Sequence, residues 1–322
     1  MKYAPLNLVK DEIRLLSFLP TEDNVLHLSL EHFTLNSAPP FWAFSYTWGD
    51  PTRTIRIVIN GHDFEATENL VFALGNHQEI LLLRSKIKHP HFQAQHIWAD
   101  AICVNQNDYE ERAREVLRMR QIYQIGIVAI YLNSEDRDAY KTEYTTLSRF
   151  GEEKSEGLDV EIPPSHWSHL VQFFSKPWFT RMWVIQEFVL SKSQPLFLFV
   201  GGYKAIKDVT LRDAAWKIFQ MDSIPITPRE KTVLFNGIKQ YLSLAEVKDR
   251  MQTDKPCSLL TLLWTFRDRL ASDPRDKIYS LLGVHDQFKR VESPSTMAMS
   301  EATGEFDMIW RSSSLTMKQK SK

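Results

Sequence analysis

The fold of this chain is decided by one segment, HIWADAICVNQNDYEERAREVLRMRQIYQIGIVAIYL, at residues 96–132. Its first part, Ile97 to Val104, is short and apolar, as buried strands are, and Ile127 to Leu132 has the same character. Between them the pattern predicts an amphipathic helix that follows Asn107, an N-cap with Glu110 completing a capping box. A strand, a crossover helix and a strand make a parallel βαβ unit, so we predict an α/β fold with a mainly parallel sheet.

The predicted helix should bury one stripe and leave charged pairs in water. The expected pairs are Glu110 with Arg114 and Glu115 with Arg118. Gly126 is expected to end the helix in a left-handed cap. The expected buried stripe consists of Tyr109, Ala113, Val116, Met119, Ile122 and Tyr123.

Further segments extend the sheet. An aromatic strand is predicted from Phe41, stopping at the turn Gly49-Asp50-Pro51. TIRIVING then forms a strand and a hairpin turn at Asn60-Gly61, followed by a helix from about Asn69. A last strand, PLFLFV, is predicted from Pro195, and nothing after Gly201-Gly202 looks like a sheet.

The chain divides by composition into four parts. Residues 1–202 are predicted to form the α/β core, in which 133–167 is an acidic surface insertion with at most one helix near Ala139 to Phe150. Residues 203–286 have helical spacing and should pack on the core. Residues 287–322 have little periodicity, and we expect disorder there.

Composition excludes several classes of protein. The 322 residues have a formal net charge of -1, which argues against nucleic acid as a partner. Two cysteines, scattered histidines and the absence of a long apolar run predict no disulfide framework, no metal site, no signal peptide and no membrane span, hence a cytoplasmic protein. No phosphate-binding loop, GxGxxG, GxSxG or HExxH motif occurs.

A second segment, PWFTRMWVIQEFVLS at residues 177–191, contains one acid in an almost wholly apolar helix. Such a helix is normally buried, so Glu187 and Gln186 should lie in the interior. Buried carboxylates are costly unless they are paired. Glu187 is therefore either a paired structural acid or a functional one.

Three blocks now carry a family resemblance. FSYTWGDP from Phe44, the segment from Ile97 to Tyr123 and PWFTRMWVIQEFVLS from Pro177 resemble the motifs of the fungal heterokaryon incompatibility (HET) domain. The flanks YAPLNLVKDEIRLLSFLP from Tyr3 and SDPRDKIYSLLGV from Ser272 resemble the family's lead-in and following block. Family members usually continue further, whereas this chain runs into a low-complexity tail, which indicates a truncated or wrongly predicted gene product.

The resemblance implies a fungal cell-death module with a layout similar to flavodoxin-like TIR domains, some of which cleave NAD. The similarity to TIR domains rests on Ser45-Tyr46 at the end of the aromatic strand and on Trp183 followed four residues later by Glu187. In the NAD-cleaving TIR domains, the acid of the corresponding helix is catalytic. Glu187 is thus the catalytic candidate, with NAD as substrate rather than cofactor.

The chemistry tolerates a single acid, because nicotinamide leaves NAD as a neutral molecule and a carboxylate can stabilise the positive charge on the ribose. A very apolar site would neutralise Glu187, so a cation such as Arg181 or Arg112 should lie close. Asp50 and Asp100 are expected to meet Glu187 in one cleft at the carboxyl edge of the sheet.

Each of the other candidates has a structural alternative. Asp50 suits a turn, and Asp100 and Asn105 suit the end of a strand. Cys103 is expected to be a buried apolar residue and not a nucleophile. The tryptophans at 42, 48, 98 and 183 are expected in the core, and an ion-pair network is expected among Arg267, Arg269, Asp273, Arg275 and Asp276.

Two classes of function remain open. The domain is either a TIR-type enzyme acting on NAD or a related nucleotide, or a non-enzymatic signalling module with Glu187 as a structural acid. The second class would act by self-assembly into a homo-oligomer or through an upstream recognition protein. The substrate-binding candidates are Ser45, Tyr46, Asp50, Asp100, Asn105, Arg181 and Trp183.

Overall fold

A computed structural model describes residues 1–82, 94–132, 137–152, 162–199, 204–253 and 257–285. The described residues form one nine-stranded mixed sheet with helices packed on it, which confirms the α/β class. The strands are β1 Glu12–Phe18, β2 His27–Thr34, β3 Phe41–Tyr46, β4 Thr54–Ile59, β5 His62–Thr67, β6 His96–Trp98, β7 Ile127–Tyr131, β8 Leu196–Phe199 and β9 Lys204–Lys207. The helices are α1 Glu68–Leu82, α2 Asp100–Cys103, α3 Tyr109–Ile125, α4 Arg137–Glu152, α5 Pro164–Phe174, α6 Val184–Val189, α7 Asp208–Gln220, α8 Pro228–Gln252, α9 Leu259–Thr265 and α10 Asp276–Leu282.

The strand order is β5-β4-β2-β1-β6-β3-β7-β8-β9. The four strands β6, β3, β7 and β8 are mutually parallel, as predicted for the centre of the sheet. The outer pairs β1–β2, β4–β5 and β8–β9 are antiparallel, and β1 also runs antiparallel to β6. The crossover from β6 through α3 therefore passes over β3, which lies between β6 and β7.

Every residue of β3 is buried, because helices cover both faces of this central strand. On one face, Trp42 and Phe44 meet the ring of His77 from α1 at centroid distances of 5.0 Å each. On the other face, Ser45 contacts Glu187 of α6. Glu187 of α6 is thus held against the central strand β3.

The predicted strand Ile97 to Val104 is wrong in its second half. The strand ends at Trp98, and the chain turns into α2, where the Cys103 N–H bonds to the Ala99 carbonyl at 2.8 Å. A short apolar run does not distinguish a strand from a buried helical turn. The Asp100 carboxylate accepts the Ala101 N–H at 2.9 Å in the first turn of this helix.

The predicted buried stripe of α3 is confirmed at Met119, Ile122 and Tyr123, but it is wrong in the first turns of the helix. Asp108, not Asn107, is the N-cap, and its carboxylate accepts the N–H groups of Glu110 and Glu111 at 3.0 Å each. Tyr109 and Ala113 are exposed, whereas Glu111 and Glu115 are buried. Apolar periodicity missed this because both glutamates pair with arginines inside the fold, Glu111 with Arg14 and Glu115 with Arg118.

Gly126 does not adopt the predicted left-handed conformation, since its φ is -70°. Glycine is needed there for space. A Cβ would lie 2.8 Å from the Phe41 ring and 2.9 Å from the Ala43 Cβ. The tight approach of α3 to β3 therefore explains this glycine.

A ninth strand follows β8, contrary to the prediction that no later segment joins the sheet. Lys204–Lys207 pairs antiparallel with β8 along its whole length. Only Ile206 of this strand is buried, and its two lysines are exposed, as is common for an edge strand. A single buried residue is too weak a pattern to reveal a strand.

The helical character of the later chain is confirmed by α7 to α10, and the predicted helix near Ala139 to Phe150 is present as α4. One side of α4 is buried, including Tyr140, Leu147 and Phe150. The division of the chain into parts stays a prediction. Residues 287–322, Val200 and Gly201-Gly202 lie outside the described residues.

A buried ion pair ties the N-terminal part of the chain to the βαβ unit. Arg14 of β1 donates to the two carboxylate oxygens of Glu111 at 2.6 and 3.0 Å. The same guanidinium donates to the carbonyls of Cys103 at 3.0 Å and Ala4 at 2.7 Å. One side chain thus connects β1, the N-terminal lead-in, the end of α2 and the start of α3.

We predict that Glu111→Gln lowers the free energy of unfolding by about 3 kcal/mol, because it leaves the Arg14 charge buried without its partner. Urea unfolding checks this. The matched control is Glu110→Gln, whose side chain is 90% exposed, with an expected change within about 0.5 kcal/mol. Equal effects at the two positions would contradict the buried pair.

Candidate functional site

The segment from Pro177 to Leu190 holds the predicted buried acid, but it is not one continuous helix. A 3₁₀ turn at Pro177–Thr180 is followed by extended backbone at Arg181 and then by α6. Glu187 is 2% exposed and Gln186 is 1% exposed, which confirms their predicted burial. The helix is interrupted because Arg181 pairs with Leu270 in a short β-bridge.

Glu187 is held by a chain of oriented hydrogen bonds. The Trp178 indole N–H donates to the Ser45 hydroxyl oxygen at 2.7 Å. Since an indole nitrogen only donates, Ser45 accepts this bond and directs its own proton to Glu187 Oε2, at 2.5 Å. That oxygen of Glu187 is therefore an acceptor, so this hydrogen bond by itself favours the carboxylate form.

The sequence predicted that either Arg181 or Arg112 would lie close to Glu187, and the structure places Arg181 there. Its guanidinium lies 3.7 Å from Glu187 Oε1 and donates to the Tyr46 carbonyl. The other alternative, Arg112, instead stacks on the ring of Tyr109 at 5.6 Å. The positive charge that offsets the cost of burying Glu187 thus comes from the same segment, Pro177 to Leu190.

Burial raises the pKa of Glu187 to about 7, and nearby Asp100 acts in the same direction. Arg181 and the Ser45 hydrogen bond oppose this rise. The carboxyl therefore titrates close to neutral pH, where both of its forms are populated. A group of this kind can change its charge with small changes in its surroundings.

Asp100 belongs to the same cluster. Its carboxylate accepts from the Tyr46 hydroxyl at 3.2 Å and from the Trp48 indole N–H at 3.0 Å. Burial raises its pKa, while Arg181 acts to lower it. Trp48, at 38% exposed, lies at the solvent side of the cluster.

The structure therefore brings together five of the predicted site residues, and they come from all three sequence blocks. Block one gives Ser45 and Tyr46 at the carboxyl end of β3, block two gives Asp100, and block three gives Arg181 and Glu187. We name these five residues with Trp48 and Trp178 the Glu187 cluster. Their role in binding or catalysis stays a prediction.

Three predicted residues make other contacts. Asp50 is exposed and accepts from the N–H and hydroxyl of Thr52 at 2.9 and 2.7 Å, as its turn alternative implies. The Asn105 side chain accepts from the Asn107 N–H at 3.2 Å, and both residues lie in the loop before α3. The Trp183 indole donates to Asp276 at 3.1 Å.

Trp48 was expected in the core, and this prediction is wrong, because the residue is 38% exposed. Trp178 was not singled out as a site residue. Trp178 is fully buried, and a buried indole N–H usually has a hydrogen-bond acceptor. A tryptophan in an apolar segment is therefore the sequence signal that a polar partner lies nearby. The prediction for Cys103 agrees with the structure, since the residue is buried and burial raises the pKa of its thiol to about 12.

Of the predicted ion-pair network, the pair of Arg275 with Asp273 is present, whereas the expected ion pairing of Arg269 is wrong. Arg275 pairs with Asp273 at 2.6 Å and Arg267 lies 3.7 Å from Asp268, all at exposed positions. Arg269 is fully buried and donates to two backbone carbonyls, those of Arg181 and Gln240. Sequence spacing cannot show that an arginine is paired with backbone rather than with a carboxylate.

No group of three or more potential ligands for a metal ion occurs in the described parts of the chain. None of the helices in those parts is long and apolar enough to cross a membrane.

The fold and the cluster define an α/β domain with a buried, arginine-paired carboxylate at the carboxyl end of its central strand. Residues 41–187 match the family described as "Heterokaryon incompatibility protein (HET)". This matched region begins at the first residue of β3 and ends at Glu187, so the residues of the Glu187 cluster all lie within it. Residues 41–187 are therefore similar to the HET family.

The chain is also similar to "Heterokaryon incompatibility protein 6, OR allele" of Neurospora crassa, at 25% identity over 327 residues. The match covers 84% of this chain and 47% of that protein, so the chain spans about half the length of this curated relative. No solved structure matches. The resemblance to TIR domains thus has no support beyond the residues quoted from the sequence.

The raised pKa of Glu187 predicts a pH-dependent stability. The carboxyl is protonated in both states below its usual value of 4.5, and as the pH rises to about 7 the unfolded chain releases the proton first. The stabilising contribution of the neutral form is therefore lost over this window. Between pH 4 and 8 the wild type should lose about 3 kcal/mol relative to Glu187→Gln.

Urea unfolding of both proteins at several pH values measures this difference. A difference that stays constant across the window would show that the Glu187 carboxyl is not perturbed by its burial.

Proposed function

We propose that this chain is a fungal non-self-recognition protein of the heterokaryon incompatibility type, and that the Glu187 cluster cleaves the bond between nicotinamide and ribose in NAD to cause cell death. The match of residues 41–187 to the HET family and the similarity to a heterokaryon incompatibility protein support the first part. The observation that carries the second part is the meeting of all three sequence blocks at one buried carboxylate.

The geometry suits a reaction in which positive charge develops on a sugar. As the bond from the ribose carbon to nicotinamide breaks, its electron pair goes to the nicotinamide nitrogen. The Glu187 carboxylate would stabilise the resulting ribosyl cation, and water would then add its hydroxyl to that carbon and release a proton. Ser45 fixes the carboxylate oxygen for this role through its 2.5 Å hydrogen bond.

Access to Glu187 would be from the side of Trp48 and Arg181. Glu187 itself is 2% exposed, whereas Trp48 is 38% exposed and the Arg181 side chain is 22% exposed. The Arg181 guanidinium would bind the diphosphate of the substrate, since arginine matches the geometry of phosphate oxygens. The positive charge of Arg181 also favours the ionised form of Glu187.

A non-enzymatic function is favoured by a different aspect of the same contacts. The hydrogen bond from Ser45 and the ion pair with Arg181 join β3 to the segment around α6. In that case the carboxyl is structural, and the domain would signal through self-assembly or an upstream recognition protein. The two functions differ in what an isosteric substitution of Glu187 does.

We expect Glu187→Gln to abolish nicotinamide release from NAD by the full chain while the protein stays folded, because the amide keeps the hydrogen-bonding shape and loses the charge. A fall of about a hundredfold or more in kcat is the scale for the loss of a group that stabilises the transition state. Nicotinamide is measured by liquid chromatography, and circular dichroism confirms folding. Glu110→Gln serves as the control and should match the wild type.

The same variants, expressed from an inducible promoter in a filamentous fungus, test cell death. The wild type and Glu110→Gln should stop hyphal growth, and Glu187→Gln should not. A folded Glu187→Gln protein that still kills hyphae contradicts the enzymatic function and supports the structural one.

A further inference from the structure

The segment at residues 266–285, named here the clamp segment, packs against the chain just before Glu187. The Leu270 N–H donates to the Thr180 carbonyl at 2.6 Å, and the Met182 N–H donates to the Leu270 carbonyl at 3.0 Å. These bonds lie on either side of Arg181, which pairs with Leu270 in a parallel bridge. The backbone that carries the Arg181 guanidinium is thereby held from outside the region that matches the HET family.

Arg269 adds a second attachment at the same point. Its guanidinium donates to the Arg181 carbonyl at 3.0 Å and to the Gln240 carbonyl of α8 at 2.7 Å. The side chain is fully buried, and burial lowers its pKa to about 9. The guanidinium also lies over the Phe266 ring, 5.2 Å from its centroid. Burying a guanidinium without a carboxylate partner is costly, so a role in stability explains this residue poorly.

The later part of the clamp segment holds the outer side of α6. The Trp183 indole donates to the Asp276 carboxylate at 3.1 Å, and the Gln186 amide donates to the Tyr279 carbonyl at 2.9 Å. Gly283 allows this approach, because a Cβ there would lie 3.1 Å from the Gln186 amide. Glu187, the next residue, is directed to Ser45 on the opposite side.

A helix as short as α6, with six residues, has little stability of its own, so its orientation depends on its tertiary contacts. We infer that Arg269 is a positioning residue: together with the clamp segment it fixes Arg181 and α6 so that the guanidinium faces the Glu187 carboxylate. The expected effect of Arg269 on nicotinamide release rests on the proposed function, whereas its effect on the position of Arg181 and α6 does not.

The test uses the full chain with Arg269→Met, which keeps an unbranched apolar side chain and removes both hydrogen bonds. Arg267→Met is the matched control, since Arg267 is an exposed arginine two residues away in the same segment. Hydrogen exchange followed by mass spectrometry reports on residues 178–190 and, separately, on β3 and β7. We expect exchange to be about tenfold faster or more in residues 178–190 of Arg269→Met only, with β3 and β7 unchanged.

Activity gives a second readout. Arg269→Met should lower kcat for nicotinamide release by about tenfold to a hundredfold, the scale that follows from misplacing a reacting group by about 1 Å. With Arg181 less well placed, the acid limb of the pH profile should move to higher pH. The charged or titratable groups that face Glu187 are Arg181, Asp100, Tyr46 and Tyr123, and Arg269→Met leaves all four in place.

Unchanged exchange in residues 178–190, or equally faster exchange in β3 and β7, would overturn the positioning role. If Arg269→Met does not fold, Arg269→Gln is subject to the same test, since its amide can bond only one of the two carbonyls. A wild type that releases no nicotinamide refutes the proposed function, and the exchange data still decide the role of Arg269.

Discussion

The burial of the Glu187 carboxylate against Ser45 is the constraint on which the other features of the site depend. A carboxylate that is almost fully removed from water needs a hydrogen-bond donor or a cation, and the fold supplies both. Ser45 comes from the central strand and is itself oriented by Trp178. Arg181 comes from the segment immediately before α6, where backbone pairing with Leu270 keeps the chain extended.

Because the buried Glu187 carboxylate requires polar partners, distant parts of the chain meet around it. Arg181 also faces Asp100, whose other partners are Tyr46 and Trp48, so a second acid enters the same electrostatic group. The clamp segment then fixes the outer side of the helix that carries Glu187. A domain with this arrangement has a titratable acid near neutral pH, which suits a catalytic role and also a structural switch.

Sequence patterns predicted elements well where burial is the only requirement. The aromatic run from Phe41, the hairpin at Asn60-Gly61 and the strand at Ile127 follow from apolar residues and turn residues that have a local meaning. The prediction was wrong in the first turns of α3, where two glutamates are buried. The burial of Glu111 in the first turn depends on Arg14, which lies about a hundred residues before it, and no periodicity in the helix contains that information.

By itself, the sequence determined the α/β class, the central parallel strands, the burial of Glu187 and the family resemblance, because these depend on local patterns of apolar residues and on motif order. The tertiary structure alone decided which polar groups pair. It joined Asp100 to Tyr46 and Trp48, left Asp50 in its own turn, and placed Arg269 on the Arg181 carbonyl rather than in an ion pair. Hydrogen bonds and charges act over a few ångströms between residues that are far apart in sequence, so only the folded chain specifies them.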